Sequence, residues 1–547
     1  MASILPVRLS TWFPSPEINS SLANSATLFT LPKELVATRH RCYALFFTLL
    51  GILAIAKLLR HSFLRAKPRV DVPVLNLENT SHETAAKQWM YNYEELLHAG
   101  YKRFKHEVYQ LWTPDGFVIV LSPDFLPEIR QLPDSICDFY SGVKESLLGE
   151  YKFLDLSGVL PIVGLKKNVT ASLGETIPSF MEELLVAFPV VFSIGKEWSP
   201  LTVMPAMERI AVPTVGRVFV GHEICRLPSY IETQIAFGAS VLGAAIKLRK
   251  TPHIFKPLMA LFVPEIYRSL KCLRDIKKLL VPVIKARFAK HKAGGERTED
   301  LVQFVMEGAE FEPKPTSIPR QAEQALIFSF GGVAAISTAM AQVLYDMAEH
   351  SHHIQPIRDE VNEIWDECDG QFTRAHLQRM VKMDSFFKES QRLNPANSTT
   401  INRLMRADFT LSNGLTLPKG SRFCVPASQV SLDPEVWEDP YEFDGFRYET
   451  LRNEKPENIS QMQFPTPTTH SLHFGTGRHV CPGRFLAVVQ MKLVTAVILR
   501  HYDFKLQDGE TKRPHNVNFG PINTPSHIAK LDFRQIRELP APRGSSS

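Results

Sequence analysis

The chain has 547 residues, 44% hydrophobic and 22% charged, a globular composition that excludes wholesale disorder and a collagen-like fibre. Lys and Arg number 62 against 57 Asp and Glu, a net charge of +5; over this length the excess is too thin to argue for nucleic acid, though it suits an acidic partner or an anionic membrane face. Seven widely scattered cysteines are not a disulfide framework and point to a reducing compartment.

Residues 42–59 read CYALFFTLLGILAIAKLL and form the one long apolar run, so a polytopic membrane protein is excluded. As a helix the run spans roughly 27 Å, close to the hydrocarbon thickness of a bilayer. Arg60, Arg65, Lys67 and Arg69 follow it, whereas only Arg39 and Arg41 lie close before it. This basic excess places the carboxyl-terminal side in the cytosol. A buried core helix is the weaker reading, because a polar leader precedes the run and a basic, Pro-containing stretch follows. The run starts too far from residue 1 for a cleaved signal peptide. The expected layout is a lumenal segment 1–41, a membrane anchor 42–59, a basic linker 60–74, a catalytic domain 75–535 and a loose tail 536–547. In that topology Asn19 is the only lumenal glycosylation sequon.

From 75 to 535 there is no long Gly/Ser linker, charge block or internal repeat. Strand signals are few: FVIVLS at 117–122, and 408–427, whose Asn-Gly turn reads as a hairpin. Helical periodicity dominates 170–390, as in IPSFMEELLVAF. The long apolar pattern QAEQALIFSFGGVAAISTAMAQVLYDMAEH (321–350) is one such helix. In FFKESQRLNP (386–395), Glu389 and Arg392 are spaced i, i+3 and share a helix face. Their apolar neighbours and Pro395 suggest a buried pair rather than a solvated one. Further on, DPYEFDGFRY supplies Arg447. The architecture expected is one large, mainly α domain with small β-sheets.

The segment HFGTGRHVCPGRFLA (473–487) carries the most chemistry. Gly475, Gly477 and Gly483 let the backbone turn tightly and approach a flat ligand. Cys481 lies among them at the start of an apolar helix, where the helix dipole, Arg478 and Arg484 favour a thiolate suited to a metal. A lone Cys is more often a small buried hydrophobe. Zinc needs further ligands at regular spacing, and only His473 and His479 stand close. A phosphate loop needs a Lys and Ser/Thr pair, which is missing.

Phe474, Gly477, Cys481 and Gly483 resemble the Phe-x-x-Gly-x-x-x-Cys-x-Gly haem signature of the cytochrome P450 superfamily. Glu389, Arg392 and Arg447 are similar to its Glu-x-x-Arg plus Arg triad, and residues 321–350 to its central helix. The resemblance covers about 75–535 and is of fungal microsomal type. It implies the cytochrome P450 fold behind a single transmembrane helix, with Cys481 as the axial ligand of haem b. Phe474 would pack beside the haem and its thiolate. His479 would stand where the family usually has a propionate-contacting Arg, and Arg403 would make another propionate contact. Ser398, Thr399, Thr400 and Ile401 would line the substrate cavity, and residues 137–160 would form a loop over the haem edge. Lys166 is a further candidate for a propionate. The glutamate–arginine triad would be structural rather than catalytic.

The central helix departs from the family. In the ungapped register Ala334 and Ala335 occupy the usual acid-or-His and Thr positions, and Gly331-Gly332 replaces the small pair that kinks the helix. Thr338 then lies one turn beyond Ala335, and Ser337 points elsewhere. A register shifted by three residues would restore Thr338 to the alcohol position. The implied activity is a haem-thiolate monooxygenase inserting one atom of O2 into an apolar small molecule. Electrons would come from NADPH through a separate reductase at the endoplasmic reticulum membrane. Fungal secondary metabolism, with a terpenoid, meroterpenoid or alkaloid substrate, is the expected setting. The alanine pair leaves open a P450-type step other than hydroxylation: coupling, desaturation or rearrangement. A non-enzymatic haem-binding scaffold in a membrane pathway assembly is the reading from another class.

Overall fold

The computed structural model describes residues 70–541, except 152–159, 310 and 312–314. The expected membrane anchor 42–59, the leader with Asn19 and most of the basic linker lie outside the described residues. Among the described residues two helices are long and apolar enough to cross a membrane, Pro228–Arg249 and Ile318–Glu349. The second is largely buried inside the domain and reads as a core helix.

Helices dominate. Eight of them frame the site: α1 Phe139–Ser146, α2 Leu173–Val191, α3 Val203–Phe219, α4 Pro228–Arg249, α5 Pro264–Lys292, α6 Ile318–Glu349, α7 Val381–Leu393 and α8 Arg484–His501. The central α6 is apolar nearly all round, so it is buried. Leu326, Ala341, Leu344, Tyr345 and Met347 on it, with Ile210, Val212 and Val215 of α3 and Leu493 to Leu499 of α8, form the main core. The helix is continuous through Gly331 and Gly332. Gly332 earns its place by packing, since an added Cβ would sit 3.3 Å from Val215.

A five-stranded sheet closes the other side. Its strands are β1 Tyr109–Thr113, β2 Gly116–Val120, β3 Cys137–Asp138, β4 Thr400–Met405 and β5 Arg422–Val425, in the order β1-β2-β5-β4-β3. The strand expected at 117–122 is therefore β2, two residues shorter at its end. The hairpin expected over 408–427 is corrected. Only Phe409–Thr410 and Thr416–Leu417 pair across the turn, with Gly414 at φ +87°. The rest of the segment leaves as β5, antiparallel to β4 and parallel to β2, because Phe423, Cys424 and Val425 are buried on both sides and a central strand position satisfies them. Residues 137–160, expected as a loop, begin with β3 and then α1, which is capped by Asp138 accepting from the Ser141 N–H.

The carboxyl-terminal half is held by buried charge. Glu389 is fully buried on α7 and Arg392 grips it bidentately at 2.7 and 2.8 Å. The same guanidinium donates to the carbonyls of Ser431, Pro440 and Glu442. Arg447 reaches Glu389 at 3.3 Å and also holds the Glu438 and Glu442 carbonyls. One carboxylate thus orders the irregular segment 431–447 in front of the cysteine loop. A second buried cluster, Asp384 with Arg452 and Lys492, ties α7 to α8. From the end of α6, His353 locks the same segment: its Nε2 accepts the Gly445 N–H at 3.2 Å while Nδ1 faces the His350 carbonyl. That pattern requires a neutral ring, donating from Nδ1.

Removing one partner of the Glu389 network strands charge in the core. Glu389→Gln should cost about 3–5 kcal/mol in equilibrium denaturation, and a loss below about 1 kcal/mol would contradict that burial. Histidines 350, 353, 470, 473 and 501 are all held below the ordinary value by burial, His473 to about 3 and His501 to about 4. The unfolded chain therefore binds more protons below about pH 6.5. Their contribution is complete above that pH and is lost as it falls. Denaturation midpoints should drop from pH 7 to pH 5, and the drop should be smaller in His353→Leu.

Candidate functional site

The cysteine loop is shaped by backbone contacts. Gly475 and Gly477 have φ near +70°, a region side chains avoid. A Cβ on Gly477 would sit 2.0 Å from the Arg130 carbonyl oxygen, which accepts the Arg478 N–H at 3.1 Å. The Cys481 N–H donates to the Phe474 carbonyl at 2.8 Å, closing the loop on itself. Phe474 packs edge-on against Phe464, 5.3 Å between centroids. These contacts fix the backbone from which the Cys481 sulfur projects.

It points into a cavity of about 610 Å³. Burial pushes the Cys481 thiol pKa up, opposed by the Gly483 and Arg484 backbone N–H groups and by the Arg484 charge. Where Gly483 would carry a Cβ the space is open. Across the cavity runs α6, presenting Ala335, Ile336, Thr338, Ala339, Gln342 and Val343. Positions 335, 338, 339 and 342 form one stripe at helical spacing. Ala334 is not on that lining, and the Ser337 hydroxyl is spent on the Val333 carbonyl at 2.8 Å.

Phe474, His479, Cys481 and Arg403, the residues given haem-contacting roles by the resemblance, line this cavity, as does Lys166. Arg403 is brought in by a bulge in β4, where the pairing register shifts between Thr400 and Arg403 and Ile401 takes φ +53°. Positive φ strains a β-branched residue, and such strain clusters at functional sites. Gly142 of α1 packs directly on the bulge, 2.6 Å from Asn402 O to an added Cβ. The Arg403 guanidinium stacks over Phe139 at 4.7 Å and donates only to its neighbour's carbonyl at Asn402. It has no carboxylate partner among the described residues, although it is buried. His479 stacks on the other side of the same cluster, 4.9 Å from Phe139, with its Nε2 at 2.7 Å from Asp134. Lys166 joins them, donating to the Arg478 carbonyl at 3.2 Å. Thr399, Thr400 and Ile401 line the cavity as expected, whereas Ser398 does not: its hydroxyl is drawn away to Glu94.

Several lining residues carry no sequence signal. Trp89 and Tyr93 come from two successive early helices, His82–Tyr91 and Tyr93–Phe104, and Arg249 from the end of α4. Asp134, which holds His479, lies 345 positions away from it. No local spacing could link such pairs.

A family model described as Cytochrome P450 matches residues 177–530. A cytochrome P450 monooxygenase, braC of Annulohypoxylon truncatum, is 30% identical over 477 residues, covering 86% of this chain and 94% of that protein. The cytochrome P450 monooxygenase paxP of Penicillium paxilli is 32% identical over 442 residues, covering 79% and 83%. In fold, the chain is similar to cyanobacterial CYP120A1 solved with retinoic acid bound, with a TM-score of 0.59 at 19% identity, covering 82% of this chain and 95% of that one. The mainly helical fold with small sheets, the cysteine loop and these matches agree, and the chain belongs to the cytochrome P450 family as a monooxygenase, an oxidoreductase class that works through haem iron.

Proposed function

We propose that the chain is a membrane-anchored haem-thiolate monooxygenase of fungal secondary metabolism, with Cys481 as the iron ligand. The observation that carries this is one cavity holding the Cys481 sulfur, an unpaired buried guanidinium at Arg403, and the bare stripe of α6 opposite. The donor set fits haem b. A single sulfur, Cys481, would hold the iron; burial raises its thiol pKa on balance, and the Gly483 and Arg484 N–H groups with the Arg484 charge work against that rise. Arg403, His479 and Lys166 gather on one side of the cavity, where two propionates would meet them. Phe474 gives an apolar contact beside the sulfur.

Bound there, haem supplies dioxygen activation: one atom of O2 enters the substrate and the other leaves as water, consuming two electrons and two protons. The chain's own residues exclude bulk water, orient the substrate and handle protons. Thr400, Ile401, Ile336 and Val343 offer a mostly apolar wall, suited to an apolar small molecule such as a terpenoid, meroterpenoid or alkaloid. Electrons come from NADPH through a separate cytochrome P450 reductase docking on the basic cysteine side. The domain layout stands as 1–41 lumenal and bearing the Asn19 sequon, 42–59 spanning the endoplasmic reticulum membrane, 60–74 linker, 75–535 catalytic and cytosolic, 536–547 tail. An exposed apolar ridge supports the membrane reading: Phe255, Leu258, Leu261 and Phe262 stand out to solvent, the last at 69% exposure. Such a contiguous patch marks an interaction site, and lipid suits its composition.

A second reading keeps the haem and drops hydroxylation, because Ala335 offers no hydroxyl where the family usually has one. Coupling, desaturation or rearrangement would then be the outcome.

The reduced protein under carbon monoxide should show the red-shifted Soret band of a thiolate ligand. Cys481→Ala should lose that band while keeping its far-ultraviolet circular dichroism. A full band in Cys481→Ala would remove the assignment. Under labelled dioxygen, products should carry one labelled atom per turnover; unlabelled products throughout would favour the second reading.

A further inference from the structure

The cavity has a second charged pole, away from the cysteine loop, that the oxygenase reading leaves unused. It is built around Arg249, in the last turn of α4, where the helix dipole favours a cation. The residue is 7% exposed and its guanidinium is clamped on three sides. Nε donates to Asp115 at 3.1 Å, Nη2 donates to the Ser146 carbonyl at the end of α1, and the central carbon stands over the Trp89 ring, 5.5 Å from its centroid. Asp115, in the turn between β1 and β2, divides its carboxylate. One oxygen takes Arg249 and the other takes Lys256, which is fully buried just beyond α4. Burial pushes the Asp115 pKa up, but the charges of Arg249, Lys256 and Arg422 hold it well below the usual carboxylate range, so it stays ionised. Arg249 therefore holds half of one carboxylate. Its third nitrogen, Nη1, has no partner among the described residues and is not sealed in by protein. Arg249, Asp115, Ser146 and Trp89 all line the cavity. A buried donor left open needs an acceptor, and a charged donor makes its strongest hydrogen bond to a charged acceptor. This pole is separate from the Arg403 cluster. Phe139 at the start of α1 carries Arg403 and His479, whereas Ser146 at its end takes Arg249; seven residues of helix rise about 10 Å.

We propose that Arg249 is a specificity-determining residue that binds a carboxylate on the substrate, so that the ligand class is an amphipathic organic acid: an apolar body ending in a carboxyl group. The proposal deepens the oxygenase reading and rests on it for what happens to the bound acid. The donor is held in place before any ligand arrives, so little side-chain entropy is lost on binding. Lys256 and Arg422 both hold the Asp115 turn, the second through the Asp115 carbonyl at 2.8 Å, so the clamp on Arg249 stays put while its open side meets the ligand. Around the pole the wall is apolar, with Val118 and Leu147 beside Trp89. A mostly apolar pocket with one placed charge orients its ligand by one end. The carboxylate then sits at this pole and the far end of the molecule extends toward Cys481, so oxidation falls on a carbon several bonds from the carboxyl group.

The test uses the full-length, haem-loaded protein and two probe pairs of different shape: dodecanoic acid with its methyl ester, and abietic acid with its methyl ester. Binding is read by isothermal titration and by the Soret change of the ferric protein, without turnover. In at least one pair the wild type should bind the acid about tenfold or more tighter than the ester, as one charge-assisted hydrogen bond supplies. Arg249→Gln should bring acid and ester to within about threefold of each other and leave the ester's affinity unchanged. Comparing this ratio between variant and wild type cancels any difference in how the probes partition into membrane or detergent. Arg249→Met, which keeps the stem over Trp89, takes the place of the glutamine variant if that one does not load haem. Acids no tighter than their esters in both wild-type pairs, absence of binding included, would overturn the proposal. So would an unchanged acid preference in Arg249→Gln, or acid and ester weakened alike, which would mean packing alone. A wild type without the thiolate–carbon monoxide band would instead remove the oxygenase reading, a result separate from the acid preference that titration measures.

Discussion

A carboxylate with no access to water organises the carboxyl-terminal half of this protein. Glu389 could not be buried alone, since its desolvation would exceed any packing gain. Arg392 answers it bidentately, and Arg447 answers it again from beyond the irregular segment. Because each guanidinium has more donors than one carboxylate can take, the surplus N–H groups reach the carbonyls of Ser431, Glu438, Pro440 and Glu442. A stretch without regular ladders thereby satisfies its backbone. The loop bearing Cys481 follows that stretch, so the sulfur's position descends from an ion pair that takes no part in the chemistry.

The loop itself is then held by backbone rather than by side chains. Gly477 lies against the Arg130 carbonyl with no room for a methyl group, and Cys481 closes on Phe474 through a main-chain hydrogen bond. Fixing a ligand through main-chain contacts costs little entropy at the moment of binding, because the geometry already exists. The cationic cluster nearby is arranged on the same plan. Phe139 is a platform for both Arg403 and His479, and Arg403 reaches it only because β4 bulges at a strained Ile401. An arginine buried without a carboxylate is unfavourable in isolation; its place is reasonable where an anionic ligand completes it.

The distal wall shows the opposite economy. Its helix is continuous and presents the methyl groups of Ala335 and Ala339 to the cavity. The small side chains leave the wall open and concentrate its polar capacity in Thr338 and Gln342. Gln342 is braced by Arg513, which also serves Asp346, so the polar end of the stripe is rigid while the alanine end is open.

How much of this could be read beforehand depends on the separation of the residues involved. Residues 473–487 announce the cysteine, its glycines and its helix within fifteen positions, and Glu389 with Arg392 stand within one helical turn; local spacing determined these, because both sites are built from neighbours in the chain. The helical periodicity of 321–350 likewise marked that segment as one long helix, while which of its residues face the cavity was left between two registers. What the chain order could not decide was the company each residue keeps: that β5 abandons its hairpin for the central sheet, that α6 continues as one helix through its paired glycines, that Asp134 holds His479, that Glu94 takes Ser398 out of the cavity. Those outcomes are choices among burial partners hundreds of residues apart, and only packing, which weighs every apolar face and buried charge together, can make them.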